Sequence, residues 1–286
     1  MDGGENAKQN RLEGENDVGG GNVGDKTVHP RDMVEHQAKV EEAVKPLPGK
    51  PADPGDYIVK RRAEILRSTS GFCGTNLNLI DLGCGNGETI NELENEFNLV
   101  MGIDKPPEDS LIYKGCALFL KPGDYRDDLR ISLWDIDYMQ PEYFLLGEGE
   151  DRVVCFEVLE HLQDDHRGCG VVCGLLRQGG LTAITVPNKW WLFETHAPWP
   201  LNRIPFLSWL PTCIHDRFAR ARIYTRKQIV RMVRSAGLRI EAVHWVRAPM
   251  DRLPIRWLAR ILRGKKHTTR IPFFATSIMV IARKEE

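Results

Sequence analysis

Apolar runs divide the middle of the chain into short buried segments. Leu77, Leu79 and Ile80 lead into Asp81. Leu99–Ile103 ends at Asp104, Arg130–Trp134 ends at Asp135, Val153–Phe156 runs into Glu157, and Leu181–Val186 stops at Pro187-Asn188. Their length and continuity predict strands covered on both faces. Segments of helical spacing separate them: Tyr57–Arg67 (Ile58, Ala63, Ile65, Leu66), about Glu88–Phe97, a short one at Pro141–Leu146, and Asp165–Arg177, which Gly179-Gly180 is expected to close. Thr225 is a plausible N-cap for a helix reaching Ala236, with Gly237 closing it, and Leu238–Val246 and Pro272–Ala282 read as two final strands. Strands alternating with helices predict an α/β domain with a doubly wound, mostly parallel sheet.

Other stretches lack such a pattern. Met1 to about Pro30 is rich in Gly, Asn, Asp and Glu and has no aromatic residue, so it cannot bury enough apolar surface to offset its ordering entropy. A short helix is expected over Asp32–Lys45, followed by a linker holding Pro46, Pro48, Pro51 and Pro54. Residues 1–55 are therefore expected as disordered tail and linker, and 56–286 as one domain. Residues 105–130 fit either a helix or an irregular insertion. Lys189–Ile223 carries Trp190, Trp191, Trp199 and Trp209 among prolines, with no sustained period. It reads as an insertion at about 189–224 that caps the substrate.

Composition changes the picture in three ways. The net charge of −1 hides a basic C-terminal third, with 19 Lys and Arg against 5 Asp and Glu from Leu201 to Glu286. Within it, Asp251–Arg263 is amphipathic: Leu253, Trp257, Leu258, Ile261 and Leu262 against four arginines. That pattern fits an ordinary surface helix or a peripheral contact with an anionic membrane. Seven cysteines with no C-x-x-C pair suit a reduced, intracellular and cytoplasmic setting. No apolar run is long enough for a convincing membrane span.

The chemistry centres on Asp81-Leu82-Gly83-Cys84-Gly85-Asn86-Gly87-Glu88. A strand, a tight glycine turn and a helix start make a ligand site at the carboxyl end of a sheet. The dinucleotide fingerprint G-x-G-x-x-G does not fit, because Gly83, Gly85 and Gly87 alternate and Glu88 would repel phosphates. A ligand without phosphate, bearing an amino group and a cationic centre, suits the acids better. The motif resembles the first motif of class I S-adenosylmethionine-dependent methyltransferases. Asp104, 21 residues after Gly83, sits where that family binds ribose. Asp135 matches the acid at the adenine amino group, with Ile136 packing beside it. Cys155-Phe156-Glu157-Val158-Leu159-Glu160-His161, the passage Leu175–Leu181, and Thr185-Val186-Pro187-Asn188 resemble the subgroup that contains the ubiquinone-biosynthesis O-methyltransferases.

The resemblance implies a Rossmann-like, seven-stranded sheet with an antiparallel last strand, and S-adenosyl-L-methionine as cofactor. It places Asp81, Gly83, Cys84, Gly85, Gly87, Asp104, Asp135, Ile136, Phe156 and Glu157 at that cofactor. It implies methyl transfer to an O or N atom of a small or lipid-like acceptor. The acceptor needs a proton removed, and His161 and His196 are the candidate bases. The alternative for His161 is bracing the following helix. In some relatives a Glu-x-x-Glu-His motif like Glu157, Glu160 and His161 holds a divalent metal; no metal is assigned here. The aromatic residues of 189–224 either line an apolar pocket or pack the insertion's own core. An RNA methyltransferase and a cofactor-binding protein without catalysis are the rival readings, and with no recognisable nucleic-acid module an RNA partner is not expected.

Overall fold

The computed structural model describes residues 52, 55–105, 118–119, 131–133, 136–137, 139, 149–193, 196–198, 200–219, 221–249 and 266–285. The expected helices at 32–45 and 141–146, nearly all of the tail, linker and 105–130, and the amphipathic segment 251–263 lie outside them, as does Asp135.

Seven strands build the sheet: β1 (Gly74–Leu82), β2 (Phe97–Asp104), β4 (Ile131–Leu133), β5 (Glu150–Phe156), β6 (Leu176–Pro187), β7 (Leu238–Arg247) and β9 (Ala275–Lys284). Two strands of two residues, β3 (Leu118–Phe119) and β8 (Thr268–Thr269), extend its edges, giving the order β3-β4-β2-β1-β5-β6-β9-β7-β8. The pairs β1–β2, β1–β5, β2–β4 and β5–β6 are parallel. The last strand enters between β6 and β7 and runs antiparallel to both. An antiparallel neighbour needs no crossover helix, whereas a parallel one does. The Rossmann-like, mostly parallel sheet with an antiparallel last strand expected from the sequence is the one observed.

Alternate residues of the central strands feed two cores. Ile80, Leu82, Val153, Cys155, Ile184, Val186 and Val280 face helices α3 (Asp165–Leu175) and α5 (Arg226–Ser235) through Val171, Val172, Leu175, Ile229 and Val233. Leu79, Val154, Phe156, Ala183 and Ile281 meet Ala63, Ile65 and Leu66 of α1 (Tyr57–Ser68). Leu93, at the end of α2 (Glu88–Leu93), joins the same core. Each fully buried aliphatic chain stabilises by about 1.5–3 kcal/mol, whereas a surface ion pair contributes about 0–1 kcal/mol. The two cores therefore hold the sheet. The Arg67 clamp on Glu64, Glu92 and Glu96 chiefly fixes how α1 sits beside α2.

Several boundaries differ from the expected ones. Helix α3 ends at Leu175, and Gly179-Gly180 belong to β6 instead of closing the helix. The pairing of Glu150 with Leu176 recruits the chain into the sheet early, with a register shift before Arg152 pairs with Leu181. Helix α2 has six residues and passes into a 3₁₀ turn at Glu94–Glu96. Pro272–Phe274 is a 3₁₀ turn ahead of β9, with Pro272 at its start, where a missing N–H costs nothing. At α5 the expected caps are present: Thr225 and Gln228 form a reciprocal capping box, and Gly237 closes the helix at φ +84°.

The Trp-rich segment leaves the sheet at Asn188 and returns at Tyr224, which bridge each other. The Asn188 side chain donates to the carbonyls of Pro272 and Ala275, both at 2.8 Å, and its oxygen accepts the Trp190 N–H at 3.0 Å. Inside the segment, Trp191 and Phe193 bury themselves against Ala248, and a four-residue helix α4 (Thr212–His215) follows. These two aromatics fill the segment's own core. Trp190 and Phe206 are exposed.

Candidate active site

The turn after β1 is built by backbone alone. The N–H groups of Gly83 and Cys84 both donate to the Ile103 carbonyl, at 2.6 and 3.2 Å, which locks the turn to the end of β2. Gly83, Gly85 and Gly87 have φ of +81°, +54° and +78°, the left-handed region open to glycine. Gly83 has a second reason for lacking a side chain. A Cβ there would lie 2.1 Å from Cγ2 of Val158, two residues beyond β5. Glycine thus lets the exit of β5 close onto the cofactor turn. Gly83→Ala is expected to destabilise the protein by about 2–3 kcal/mol in urea unfolding. Adding Val158→Ala should restore part of that loss; no recovery in the double variant would place the defect elsewhere.

Cys84 turns inward. Its thiol is buried against Gly102, whose own Cβ would come within 2.6 Å of Sγ, and burial raises its pKa. Only its backbone is available to a ligand. Asp104, at the end of β2, accepts the N–H of Gly85 and that of Lys105, the latter at 2.6 Å. Asp81 is 1% exposed, and one of its carboxylate oxygens has no hydrogen-bond partner. Burial and the neighbouring Asp104 push its pKa up to about 7, against the pull of Arg62 and the Thr89 hydroxyl. Two carboxylates crowded at one turn, one with an unsatisfied oxygen, make a place for a positively charged ligand.

Ile136 is buried in the core that contains Leu82 and Leu159. Asp137, the acid competing with Asp135 in the sequence, is occupied: its Oδ1 accepts the Gln163 N–H at 2.9 Å. Phe156 is buried at the end of β5 with the Arg62 guanidinium 5.4 Å from its ring centre. Glu157 takes the left-handed region at φ +56°, costly for a residue with a side chain. Burial raises the Glu157 pKa, but Arg62, ion-paired at 2.8 Å, outweighs it together with Ser277 and His196, so the net shift is downward.

Glu160, His161 and His196 meet beside this turn. Glu160 is fully buried, and neither of its carboxylate oxygens has a hydrogen-bond partner. Burial and the charge of Glu157 raise its pKa well above the ordinary value. The imidazoles of His161 and His196 pack edge to face, 5.4 Å between centres. One donor atom from each of the three residues lies within 4.8 Å of the others. The sequence offers the two histidines as separate candidates; the fold brings one from the exit of β5 and the other from the Trp-rich segment to the same place. Arg62 and Thr89 were missed by sequence reading. The Arg61-Arg62 pair sits on a helix whose spacing marks only Ile58, Ala63, Ile65 and Leu66, and nothing in it signals that both arginines would be buried.

A doubly wound sheet of this strand order, with a glycine turn under an acid at the end of β2, is the fold of class I S-adenosylmethionine-dependent methyltransferases. Residues 33–243 match the family described as Methyltransferase domain, and the chain belongs to that family. Among curated proteins it is similar to the ubiquinone biosynthesis O-methyltransferase of Methylobacterium sp. (strain 4-46), 29% identical over 163 residues, 57% of this chain and 59% of that one. It is also similar to the enzyme of the same name from Bradyrhizobium sp. (strain ORS 278), 29% identical over 157 residues, 55% of each chain. The chain thus spans under two thirds of the length of these relatives. Among solved structures, an S-adenosylmethionine-dependent methyltransferase from Mesorhizobium loti aligns over 79% of this chain and 99% of its own, at 18% identity and a TM-score of 0.49. The fold assignment rests on the strand order. Among the described residues, no helix is long and apolar enough to cross a membrane.

Proposed function

We propose that the protein methylates a hydroxyl oxygen of a small or lipid-like acceptor, and that His161 and His196 handle the acceptor's proton. The observation that carries this reading is the meeting of both imidazoles with the buried Glu160 carboxylate beside the cofactor turn. The O-methyltransferases among its relatives support oxygen over nitrogen as the accepting atom. When bound, S-adenosylmethionine supplies a methyl group on a sulfonium whose leaving group departs neutral. The chain itself then has to hold, orient and deprotonate. Asp104 takes the ribose hydroxyls, since a carboxylate has about four acceptor sites and the Gly85 and Lys105 N–H groups use two. Asp81 faces the ammonium. The Gly83–Gly87 backbone would lie along the amino-acid portion, and Ile136 would pack on the adenine side. Phe156 and Glu157 complete the cofactor side at the end of β5, where Arg62 favours the ionised form of Glu157. Holding the two reactants in line supplies much of the rate.

Incubating the purified protein and methyl-labelled cofactor with cell extract, and finding labelled products by mass spectrometry, tests the reading. Label on a hydroxyl-derived ether supports it. Label on nitrogen or on RNA, or none at all beside tight S-adenosylhomocysteine binding, sinks it.

The crowding of Glu160, His161 and His196 favours a second reading, a divalent cation held by these three. A buried carboxylate 4.0 Å from the His161 imidazole, with a second imidazole close by, is a donor set that fits zinc or a similar first-row ion. The set differs from the sequence motif, because Glu157 is committed to Arg62 and His196 of the cap takes its place. Activity lost on chelation and restored by one metal would favour this reading over proton transfer by free imidazoles.

Asp81 makes cofactor binding depend on pH. With its pKa near 7 in the free protein, it is mostly protonated at pH 6, and an ammonium beside it favours the carboxylate. Affinity for S-adenosylhomocysteine should therefore fall as pH drops below 7, by up to about tenfold per pH unit. Calorimetry in buffers of different ionisation enthalpy should detect proton release at pH 6 and little at pH 8. The stability of the free protein moves the other way. A raised folded pKa favours folding while the carboxyl is neutral, and that advantage is lost as pH rises from about 4 to 7. Asp81→Asn should abolish the proton release; release persisting in that variant would assign it to another group.

A further inference from the structure

One face of the cap exposes large apolar side chains in a single group. Ile204, Phe206, Ile271 and Phe273 are 44%, 51%, 47% and 44% exposed, and Trp190 is 36% exposed. The Trp209 ring joins them, 6.1 Å from Trp190, 4.8 Å from Phe206 and 4.9 Å from Phe273 between ring centres. The cap and the turn before β9 therefore build the patch together. Its geometry is held in place. The Trp209 indole N–H donates to the Trp191 carbonyl at 3.3 Å, and the Phe206 N–H donates to the Leu192 carbonyl at 2.8 Å. Phe206 itself sits at φ +66°, a conformation that bulky residues avoid. Trp191 and Phe193 form the buried core of the cap, and the outward aromatics lie outside that cluster.

The surroundings of the patch are basic. Exposed Arg270 directly precedes Ile271 and lines a cleft of about 320 Å³ with Arg226, His244, Trp245, Thr268 and Thr269. Among the described residues of 189–219 and 266–274, Asp216 is the acid, against Lys189, Arg217, Lys266 and Arg270. An aromatic patch with a cationic rim matches the bilayer interface, where Trp and Phe sit at headgroup level and basic side chains meet lipid phosphates. A second copy of this chain would bring two cationic rims together, which like-charge repulsion opposes.

We propose that this face docks the protein on an anionic lipid bilayer, with Trp190, Phe206, Trp209 and Phe273 seated at the headgroup boundary and Arg226 and Arg270 against lipid phosphates. The proposal goes beyond the methyl-transfer reading and stands without it. The cap that carries the patch also carries His196, so docking brings the candidate site to an acceptor dissolved in the membrane.

Sedimentation of the full chain with vesicles tests it. Equimolar phosphatidylcholine–phosphatidylglycerol vesicles should bind the protein at low salt, and phosphatidylcholine alone should bind it far less. Binding should shift tryptophan emission to the blue. The pair F206S/F273S should weaken partitioning by about tenfold or more, and R226E/R270E by a similar factor with a shallower salt dependence. S-adenosylhomocysteine affinity and the melting temperature, measured on the same samples, should stay near those of the parent. Failure of the parent to sediment with anionic vesicles overturns the proposal. So does undiminished binding by F206S/F273S, which would leave the affinity with another basic segment. A dimer seen by light scattering and abolished in F206S/F273S would assign the patch to a second copy instead, and also counts against it.

Discussion

Asp104→Asn is expected to weaken S-adenosylhomocysteine binding roughly a hundredfold, about 3 kcal/mol, while leaving the fold in place. The expectation rests on where the carboxylate stands. Asp104 closes β2 beside the glycine turn and accepts N–H groups from Gly85 and Lys105. Burial raises its pKa above the ordinary carboxylate value, and those two N–H groups oppose the rise without cancelling it. Two hydroxyls of a ribose add charge-assisted hydrogen bonds to the remaining lone pairs, each worth about 1.5–3 kcal/mol. Asparagine keeps one acceptor for the turn but loses the charge and the second oxygen. The structural alternative is that Asp104 only braces the turn. Calorimetry and thermal unfolding separate the two: a lowered melting temperature with unchanged affinity for bound molecules would mean that the brace is its whole role. Asp104→Ala should lose more of both, because the Gly85 N–H then has no side-chain partner.

The donor half of the site was legible in the sequence because its parts are local. Strand, glycine spacing and following helix lie within one run, and the acid ending β2 falls at the end of the next apolar run. Strand ends are fixed by apolar length, so Asp81 and Asp104 could be placed without knowing any long-range contact. What made Gly83 obligatory was not local: Val158, 75 residues later, lies just past the end of β5, and its approach is a property of the packed sheet. The same holds for Arg62, whose value lies in Glu157, 95 residues away. Helix ends were misjudged where pairing overrode propensity, as at Leu176, where a strand partner won over a glycine stop. His161 and His196 were both visible as residue types. Their meeting depends on the path of an insertion without period, which no local pattern encodes.

His161→Ala is expected to lower methyl transfer by about 10²–10⁴-fold at unchanged cofactor affinity. His161 sits at the exit of β5, three residues beyond the Val158 contact with Gly83, and its ring packs against His196 at 5.4 Å. A hydroxyl is a poor nucleophile until its proton leaves, and an imidazole positioned there can take it. The cofactor side of the turn is backbone and carboxylate, so removing an imidazole leaves it intact. His161→Gln keeps a hydrogen-bonding group of similar reach and cannot act as a base at neutral pH. If His161 only braces the 3₁₀ turn at Leu159–His161, glutamine should restore much of the activity that alanine loses, and both variants should melt lower. If it removes the proton, both should be comparably inactive and fold normally. His196→Ala distinguishes the pair from the single residue. A base assisted by its neighbour loses activity in either variant without additive loss in the double, because residues acting as a unit are not additive. The decisive measurement is single-turnover transfer of labelled methyl to the acceptor at saturating cofactor. Parent-like rates in both alanine variants would leave binding without catalysis by these residues as the correct account.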